Sequence, residues 1–248
     1  MSTLLRTFRP ARPGWIVDTP IAHRGLHDAT KPENTRAAFD AAVAAGYAIE
    51  LDVHASRDGV VVVFHDATLD RLTEHTGRVR DYEWSTLRTM RIAGTDETIP
   101  SLREIMTRVA GRVPVVVEIK NEGDPGRLER QVAADLTGTR KFCVQSFNPM
   151  SLAWFRRNAP EVPRGLLSTD FVEESLPRYK KLLLRNLLLA PLVAPSYVGY
   201  DLRCLPFWAP TLSRHLGLPL LAWTVRSEAD LLRARCLADN VIFEGVRP

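Results

Sequence analysis

The chain has 248 residues, with 33 lysines and arginines against 29 aspartates and glutamates, which gives a formal net charge of +4. This length suits one large α/β domain or two small ones, and because α/β barrels commonly run to about 250 residues as one domain, we expect a single domain over residues 1–248. No block of like charges indicates a nucleic-acid-binding arm, and the three widely spaced cysteines, Cys143, Cys204 and Cys236, predict neither a disulfide framework nor a zinc site.

Two segments bear on location. Arg6, Arg9 and Arg12 are followed by no continuous apolar stretch before the first predicted strand, which argues against a signal peptide. The longest apolar run, Leu187 to Ala194, is interrupted by Pro191 and is far shorter than the roughly 20 residues that span a bilayer. We therefore expect a cytoplasmic protein without a transmembrane segment, and the sequence leaves its oligomeric state open.

Apolar, β-branched segments alternate along the chain with segments of helical period, which favours a parallel sheet. The first helix is predicted to begin near Asn34 or Thr35 and to end at Gly46, and later helix starts are marked by Ser101, Asn148 and Ser227. Nine candidate strands compete for the eight places of a barrel: 21–24, 47–53, 60–65, 113–120, 141–147, 164–168, 197–202, 218–225 and 240–245.

The link between the second and third candidate strands, residues 54–59, is too short for a crossover helix. Its Asp58-Gly59 pair is typical of a hairpin, which would pair the two strands antiparallel. Alternatively, the link runs back in extended form and the barrel lacks one helix. We favour this second interpretation because it places Asp52 and His65 at the same end. The turn-rich residues 67–112 that follow are expected to form a small inserted subdomain.

The segment from Leu176 to Pro195 is basic and apolar together. The favoured interpretation is an outer helix of the barrel whose charges face solvent. A membrane-surface helix, giving the protein a peripheral lipid contact, is the alternative. The basic residues concerned are Arg178, Lys180, Lys181 and Arg185.

Carboxylates lie near the ends of two predicted strands. Glu50 and Asp52 are two residues apart and share one face of a strand, and Glu118 shares a face with Lys120 in the same way. Three inward carboxylates at the carboxyl ends of parallel strands make an oxygen-rich site suited to Mg²⁺ or Ca²⁺. Simple pairing with Arg24 or Lys120 is the alternative, and it explains one acid better than the whole set.

His23 and His65 also stand at the ends of predicted strands. Two imidazoles beside a metal can act as general base and general acid, and Arg24 and Lys120 would supply positive charge for an anion. This combination indicates phosphoryl transfer rather than acyl transfer, and the sequence contains no G-x-S-x-G motif.

These motifs resemble those of the glycerophosphodiester phosphodiesterases, and the resemblance covers nearly the whole chain. Each string is short, but their shared order is highly specific. They are Ala22-His-Arg-Gly25, Pro32-Glu-Asn-Thr35, Glu50-Leu-Asp52, Asp58-Gly59, Phe64-His-Asp66, Leu69-x-Arg71-x-Thr73, Ile99-Pro-Ser-Leu102, Glu118-Ile-Lys120, Gln145-Ser-Phe147 and Trp223-Thr-Val225.

The resemblance implies a TIM-type (β/α)8 barrel with a small insertion at about residues 67–112. It implies a divalent cation, Mg²⁺ or Ca²⁺, held by Glu50, Asp52 and Glu118. His23 and His65 would be the acid/base pair. By the same resemblance, the substrate-binding residues would be Arg24 and Lys120 at the phosphate, Glu33 beside the metal or the glycerol hydroxyls, and Trp223 as an apolar wall.

The family reaction cleaves a glycerophosphodiester into an alcohol and glycerol 3-phosphate, with the neighbouring glycerol hydroxyl as the first nucleophile and water completing hydrolysis. One departure from the family pattern is Glu244, which stands near the end of the last strand where the family often has Thr-Asp followed by Pro, and we expect Glu244 to replace that acid. A lysophospholipase D acting on lysophospholipids is the alternative with the same chemistry. A non-catalytic barrel that binds a phosphate ligand is the alternative without it.

Overall fold

The computed structural model describes residues 13–121 and 123–248, so the N-terminal arginines considered above lie outside the described residues. The described residues divide into two compact units. We call residues 21–142 the N-terminal unit, and residues 13–20 together with 143–248 the C-terminal unit. Eight of the nine strands in the described residues take part in parallel pairings. This strand set is that of a TIM-type (β/α)8 barrel, which confirms the predicted fold class.

The helices and strands follow one another in regular alternation over most of the chain. In chain order they are α1 (Trp15–Asp18), β1 (Ile21–Ala22), α2 (Arg36–Ala45), β2 (Ala48–Ala55), β3 (Val61–Val63), α3 (Trp84–Leu87), α4 (Leu102–Val109), β4 (Val115–Ile119), α5 (Arg127–Leu136), β5 (Phe142–Ser146), α6 (Pro149–Asn158), β6 (Arg164–Ser168), α7 (Arg178–Arg185), α8 (Ala190–Val193), β7 (Tyr197–Asp201), α9 (Trp208–His215), β8 (Leu220–Val225), α10 (Glu228–Leu237) and β9 (Asn240–Phe243).

The N-terminal unit is built on β2, which pairs in parallel with both β1 and β4. α2 makes the crossover from β1 to β2. Its amino end is capped by the Thr35 side chain, and its carboxyl end closes at Gly46, whose φ of 76° suits a residue without a Cβ. The predicted bounds of this helix are thus confirmed. Ala38, Phe39 and Ala42 are its buried residues.

The pairing of β2 with β3 corrects the favoured interpretation of the link between them. The two strands are antiparallel, with Val53 opposite Val63 and Ala55 opposite Val61. The hairpin interpretation was therefore right and the extended linker was wrong. Asp52 and His65 still come together, because β2 continues three residues beyond Asp52 before the chain turns back. The crossover from β2 to β4 is supplied by α4, further along the chain.

Between β3 and α4 the chain forms short elements around a small core of its own. The buried members of this core come from β3, from α3 and from the loops around them, namely Val62, Phe64, Leu69, Val79, Leu87, Met90, Ile92 and Ile99. α4 begins at the predicted capping box, in which Ser101 and Glu104 bond to each other's backbone amides. The assignment of residues 67–112 as an insertion in a single domain stays a prediction.

The C-terminal unit contains the parallel run from β6 to β9, and β6 also pairs in parallel with β5. α6 and α10 start at the predicted Asn148 and Ser227 caps. Arg164 is buried in β6 because its guanidinium donates to main-chain carbonyls, among them that of Val193 at 2.7 Å. Within the described residues, we find no helix with the length and apolar character needed to cross a bilayer.

Candidate active site

The predicted acid cluster forms at the carboxyl ends of two neighbouring strands in the N-terminal unit. Asp52 of β2 lies beside Glu118 of β4, and Glu50 stands two residues earlier on β2. One carboxylate oxygen from each of the three residues lies within 4.8 Å of the others. All three side chains are buried. The structure thus brings together the acids that the sequence singled out.

Two cations flank this cluster. Lys120 Nζ lies 3.1 Å from Asp52 Oδ1 and 2.5 Å from Glu118 Oε1. Arg24 Nε lies 3.4 Å from Asp52 Oδ2. With all three acids ionised, two adjacent cations leave the group one negative charge in excess. The acids therefore do pair with Arg24 and Lys120, but this pairing does not balance their charge.

This imbalance separates the pKa values of the three acids. Burial together with the charges of Asp52 and Glu118 raises the pKa of Glu50 well above its usual value. Burial also raises the pKa of Glu118, against the attraction of Lys120. For Asp52, burial acts in the same direction, but Lys120, His65 and Arg24 together hold its pKa below the usual value. The same acids raise the pKa of Lys120 against its burial.

The donor set fits a hard divalent cation. Asp52 Oδ1 and Glu118 Oε1 are both buried and share one charged partner, the Lys120 ammonium group, so two carboxylates have a single lysine between them. Mg²⁺ and Ca²⁺ bind oxygen ligands at roughly 2.0–2.6 Å, so two oxygens on one ion lie at most about 5 Å apart. The spacing of the three carboxylates meets this condition.

The turn after β1 fixes Arg24 against the cluster. Arg24 has a φ of 54°, and its backbone amide donates to Glu50 Oε2 at 3.0 Å. Gly25 follows with a φ of 83°, and a Cβ there would lie 2.9 Å from the backbone carbon of Ala38. A side chain at position 25 would therefore push α2 away from the turn. His23, the residue before Arg24, is half-buried.

His65 follows β3 and is held by two polar contacts. Its Nδ1 lies 2.6 Å from Asp66 Oδ1, and because a carboxylate only accepts, the proton of the neutral imidazole is on Nδ1. His54 Nε2 donates to the His65 carbonyl at 3.0 Å. Burial lowers the pKa of His65, partly opposed by Asp52. The lowered pKa favours the neutral imidazole of His65, and its Nε2 lone pair can then take up a proton.

Arg71, which the sequence analysis quoted in a motif without assigning it a role, joins two parts of the site. Its guanidinium donates to Glu33 Oε1 at 2.7 Å and to Asp66 Oδ2 at 2.6 Å. Glu33 in turn accepts from Arg24 at 2.7 Å. Although burial opposes it, the bonds from Arg71 and His65 lower the pKa of Asp66 to about 2. Arg71 thus connects the arginine side of the cluster to the histidine side.

Asn34 is a second residue whose role the sequence analysis missed. Its amide group donates to Asp52 Oδ2 at 2.9 Å, and its side-chain oxygen accepts from the Asp52 backbone amide at 3.3 Å. The residue is buried and has a φ of 58°, a conformation that asparagine tolerates better than most residues. The signal was available, because Asn34 belongs to the quoted string of residues 32–35.

Two further predicted residues lie in the C-terminal unit. Trp223 of β8 is half-buried and packs edge-on against Phe147, with ring centroids 5.4 Å apart. Glu244, after β9, is paired with Arg226. The roles assigned to Trp223 in substrate binding and to Glu244 as a replacement acid stay predictions.

Comparison with known proteins agrees with this architecture. The Bacillus subtilis relative YhdW is 31% identical over 237 residues, which covers 90% of this chain and 93% of the relative. A glycerophosphodiester phosphodiesterase of Caldanaerobacter subterraneus subsp. tengcongensis is 35% identical over 161 residues, covering 59% of this chain and 65% of that one.

Solved structures show the same fold. A glycerophosphodiester phosphodiesterase from Agrobacterium tumefaciens superposes with a TM-score of 0.71 at 27% identity, covering 92% of this chain and 96% of the other. A phosphodiesterase from Oleispira antarctica, solved with the product sn-glycerol-3-phosphate, has a TM-score of 0.77 at 24% identity and 92% coverage of both chains.

The fold and the family match define a TIM-barrel enzyme of the phosphoric diester hydrolase class. Residues 23–243 match the model of the glycerophosphoryl diester phosphodiesterase family, and the chain belongs to that family. The match begins at His23 and runs through the acid cluster to the last strand. The resemblance inferred from the motifs is thereby confirmed. Membership of this enzyme family supports a phosphodiesterase over the non-catalytic, phosphate-binding barrel.

Proposed function

We propose that this enzyme hydrolyses glycerophosphodiesters to an alcohol and glycerol 3-phosphate with the help of a divalent cation and two histidines. The observation that carries the proposal is the buried cluster of Glu50, Asp52 and Glu118, whose negative charge exceeds that of its neighbouring cations. Support for the substrate class comes from the related fold solved with sn-glycerol-3-phosphate.

The three carboxylates would hold Mg²⁺ or Ca²⁺. When bound, such an ion supplies fixed positive charge that polarises a phosphoryl oxygen. Arg24 and Lys120 would add charge on the same side, and Arg24 can present a planar pair of donors to a phosphate. Glu33 would hold the Arg24 guanidinium in place through its 2.7 Å contact.

The two histidines would move the protons. One takes the proton of the glycerol hydroxyl next to the phosphate, and that oxygen attacks phosphorus while the bond to the departing alcohol breaks. The other gives its proton to the alcohol oxygen. Water then opens the cyclic diester and yields glycerol 3-phosphate. Because the first attack is intramolecular, positioning and charge neutralisation supply most of what the reaction needs.

The test is release of glycerol 3-phosphate from glycerophosphocholine and glycerophosphoethanolamine, with EDTA and then with Mg²⁺ or Ca²⁺ restored. We expect release that EDTA stops and one of the ions restores. In the same assay, His23→Ala and His65→Ala test the two histidines. His75→Ala is their matched control, because His75 is an exposed histidine of the same unit. Release that persists in EDTA would contradict the proposed requirement for a divalent cation. No release with either ion would contradict the proposed substrate class.

A lysophospholipase D is the second candidate, because it requires the same bond cleavage on a substrate that carries an acyl chain. The observation that favours it is the exposed apolar surface of α7, on which Tyr179 and Leu182 face solvent. Release of choline from lysophosphatidylcholine under the same conditions tests it. Cytoplasmic location stays a prediction.

A further inference from the structure

α7 is a helix that exposes apolar side chains. None of its eight residues, all within the described part of the chain, is buried. The side chain of Tyr179 is 62% exposed and that of Leu182 is 60% exposed. Leu188, in the turn that leads to α8, is also exposed. Single exposed leucines are common on protein surfaces, but a cluster on one short helix indicates a contact surface.

α7 is nevertheless firmly anchored at its carboxyl end. Ser168, the last residue of β6, donates its hydroxyl to the Leu184 carbonyl at 2.9 Å. The Tyr200 hydroxyl of β7 donates to the Arg185 carbonyl at 3.0 Å. These bonds hold the helix over the ends of β6 and β7 in the C-terminal unit. Its exposed apolar face is therefore part of an ordered surface.

Aromatic residues extend this surface toward α9. The Arg185 guanidinium lies 4.5 Å from the ring centroid of Phe207, and the next residue, Trp208, is 54% exposed. Tryptophan and tyrosine have an apolar ring and a polar edge, and they concentrate where water meets lipid headgroups. Tyr179 and Trp208 are both placed to serve in this way.

The charge of the surface is positive. Arg178, Lys180 and Arg185 are exposed, and the sequence from Ser175 to Tyr200 contains no aspartate or glutamate. Arg178 and Arg185 lie four residues before and three residues after Leu182, so they share its face of the helix. Basic side chains can direct their charge toward phosphates while their methylene groups follow the apolar surface.

We propose that the surface made by Arg178, Tyr179, Leu182, Arg185 and Trp208, called here the α7 surface, docks on a lipid bilayer that contains anionic headgroups. Leucine and the aromatic rings would enter the headgroup region, and the basic residues would contact lipid phosphates. Charge complementarity favours this occupant over a second copy of the chain. In a twofold dimer the same basic patch would face itself.

The test is co-sedimentation of the full-length protein with vesicles. We expect binding to vesicles made of equal parts phosphatidylcholine and phosphatidylglycerol, a decrease in that binding as salt is raised, and little binding to phosphatidylcholine alone. Leu182→Ser should weaken binding about tenfold through loss of buried apolar area. Removing one charge, as in Arg178→Gln, should weaken it about fivefold.

Leu232→Ser is the matched control, because Leu232 is 64% exposed on α10 of the same unit. It should bind vesicles like the unchanged protein. Both substitutions are at exposed positions, and circular dichroism verifies that each variant is folded. The proposal is overturned if anionic vesicles do not bind the protein, if both leucine variants lose binding equally, or if Leu182→Ser instead abolishes self-association measured by sedimentation velocity. Because binding and not turnover is measured, the outcome is independent of the proposed reaction.

Discussion

Glu50→Gln is expected to stabilise the cation-free protein and to reduce the stability that a divalent cation adds. Glu50 is buried beside two other carboxylates, and its Oε2 accepts the Arg24 amide at 3.0 Å. A glutamine oxygen can keep this hydrogen bond while the negative charge is removed. We therefore expect the variant to stabilise the cation-free protein and to weaken its response to the cation.

The size of the effect follows from the spacing of the carboxylates. One oxygen from each carboxylate lies within 4.8 Å of the others, and two unit charges at that limiting distance repel by about 3 kcal/mol at an effective dielectric constant of about 20. Attraction between Glu50 and Arg24 offsets part of this repulsion. We expect Glu50→Gln to raise the free energy of unfolding of the cation-free protein by about 1–3 kcal/mol.

The pH dependence has a definite sign. Burial and two like charges raise the pKa of Glu50 in the folded protein, so its contribution to stability is greatest below the unfolded pKa and is lost as the pH rises through the folded pKa. Glutamine does not titrate. The advantage of Glu50→Gln should therefore be small at acid pH and should grow as the pH rises.

The assay is urea unfolding at pH 8, in EDTA and in saturating Mg²⁺ or Ca²⁺. A cation at 100 times its dissociation constant stabilises the unchanged protein by about 2.7 kcal/mol, and the variant should gain less. Glu129→Gln is the control, because Glu129 is buried but accepts hydrogen bonds from Asn121 and Gly126, each at 2.6 Å. It should lose about 1 kcal/mol and keep the full cation response. A Glu50→Gln variant that is destabilised in EDTA, or that gains as much from the cation as the unchanged protein, would refute the reasoning.

Substitutions at four further residues test the parts of the site separately. His23→Ala and His65→Ala should each lower kcat for glycerol 3-phosphate release by roughly 10²–10⁴-fold with unchanged circular dichroism, and a rate near that of the unchanged enzyme would remove the role assigned to that histidine. Asn34→Ala should raise the cation concentration needed for half-maximal activity about 10–100-fold, because Asp52 loses its amide partner, and an unchanged cation titration would contradict this. Arg71→Met should lower kcat about 10–100-fold with partial recovery in Arg71→Lys, and an effect on thermal stability alone would show a purely structural role.

Several local features followed directly from the sequence. The cap at Thr35 and the closing turn at Gly46 bound α2 as predicted, because both act within one turn of the helix. Glu50 and Asp52 share a face because side chains alternate along any strand. Such features depend on neighbours two to four residues away, so the linear pattern is enough to predict them.

The pairing of β2 with β3 was not decided by local sequence. Residues 54–59 permit either a hairpin or an extended return, and only the hydrogen bonding between the two strands selects the hairpin. Local sequence did not predict the role of Arg71 either, because its contact with Glu33 joins residues separated by 38 positions. A side chain with several possible partners reaches the one that the packing of the whole unit brings within bonding distance.

The sequence by itself therefore determined the family and the barrel fold class, and it singled out the three acids that the structure brings together, because each follows from short motifs and from backbone periodicity. Only the tertiary structure decided how charge is distributed among them. The pKa of Asp52 is lowered while that of Glu50, two residues away on the same strand, is raised. Both residues are fully buried, and the difference comes from their neighbours: Lys120, His65 and Arg24 lower the pKa of Asp52, whereas the charges of Asp52 and Glu118 raise that of Glu50. Electrostatic energy depends on distance in space, which residue spacing along the chain does not specify.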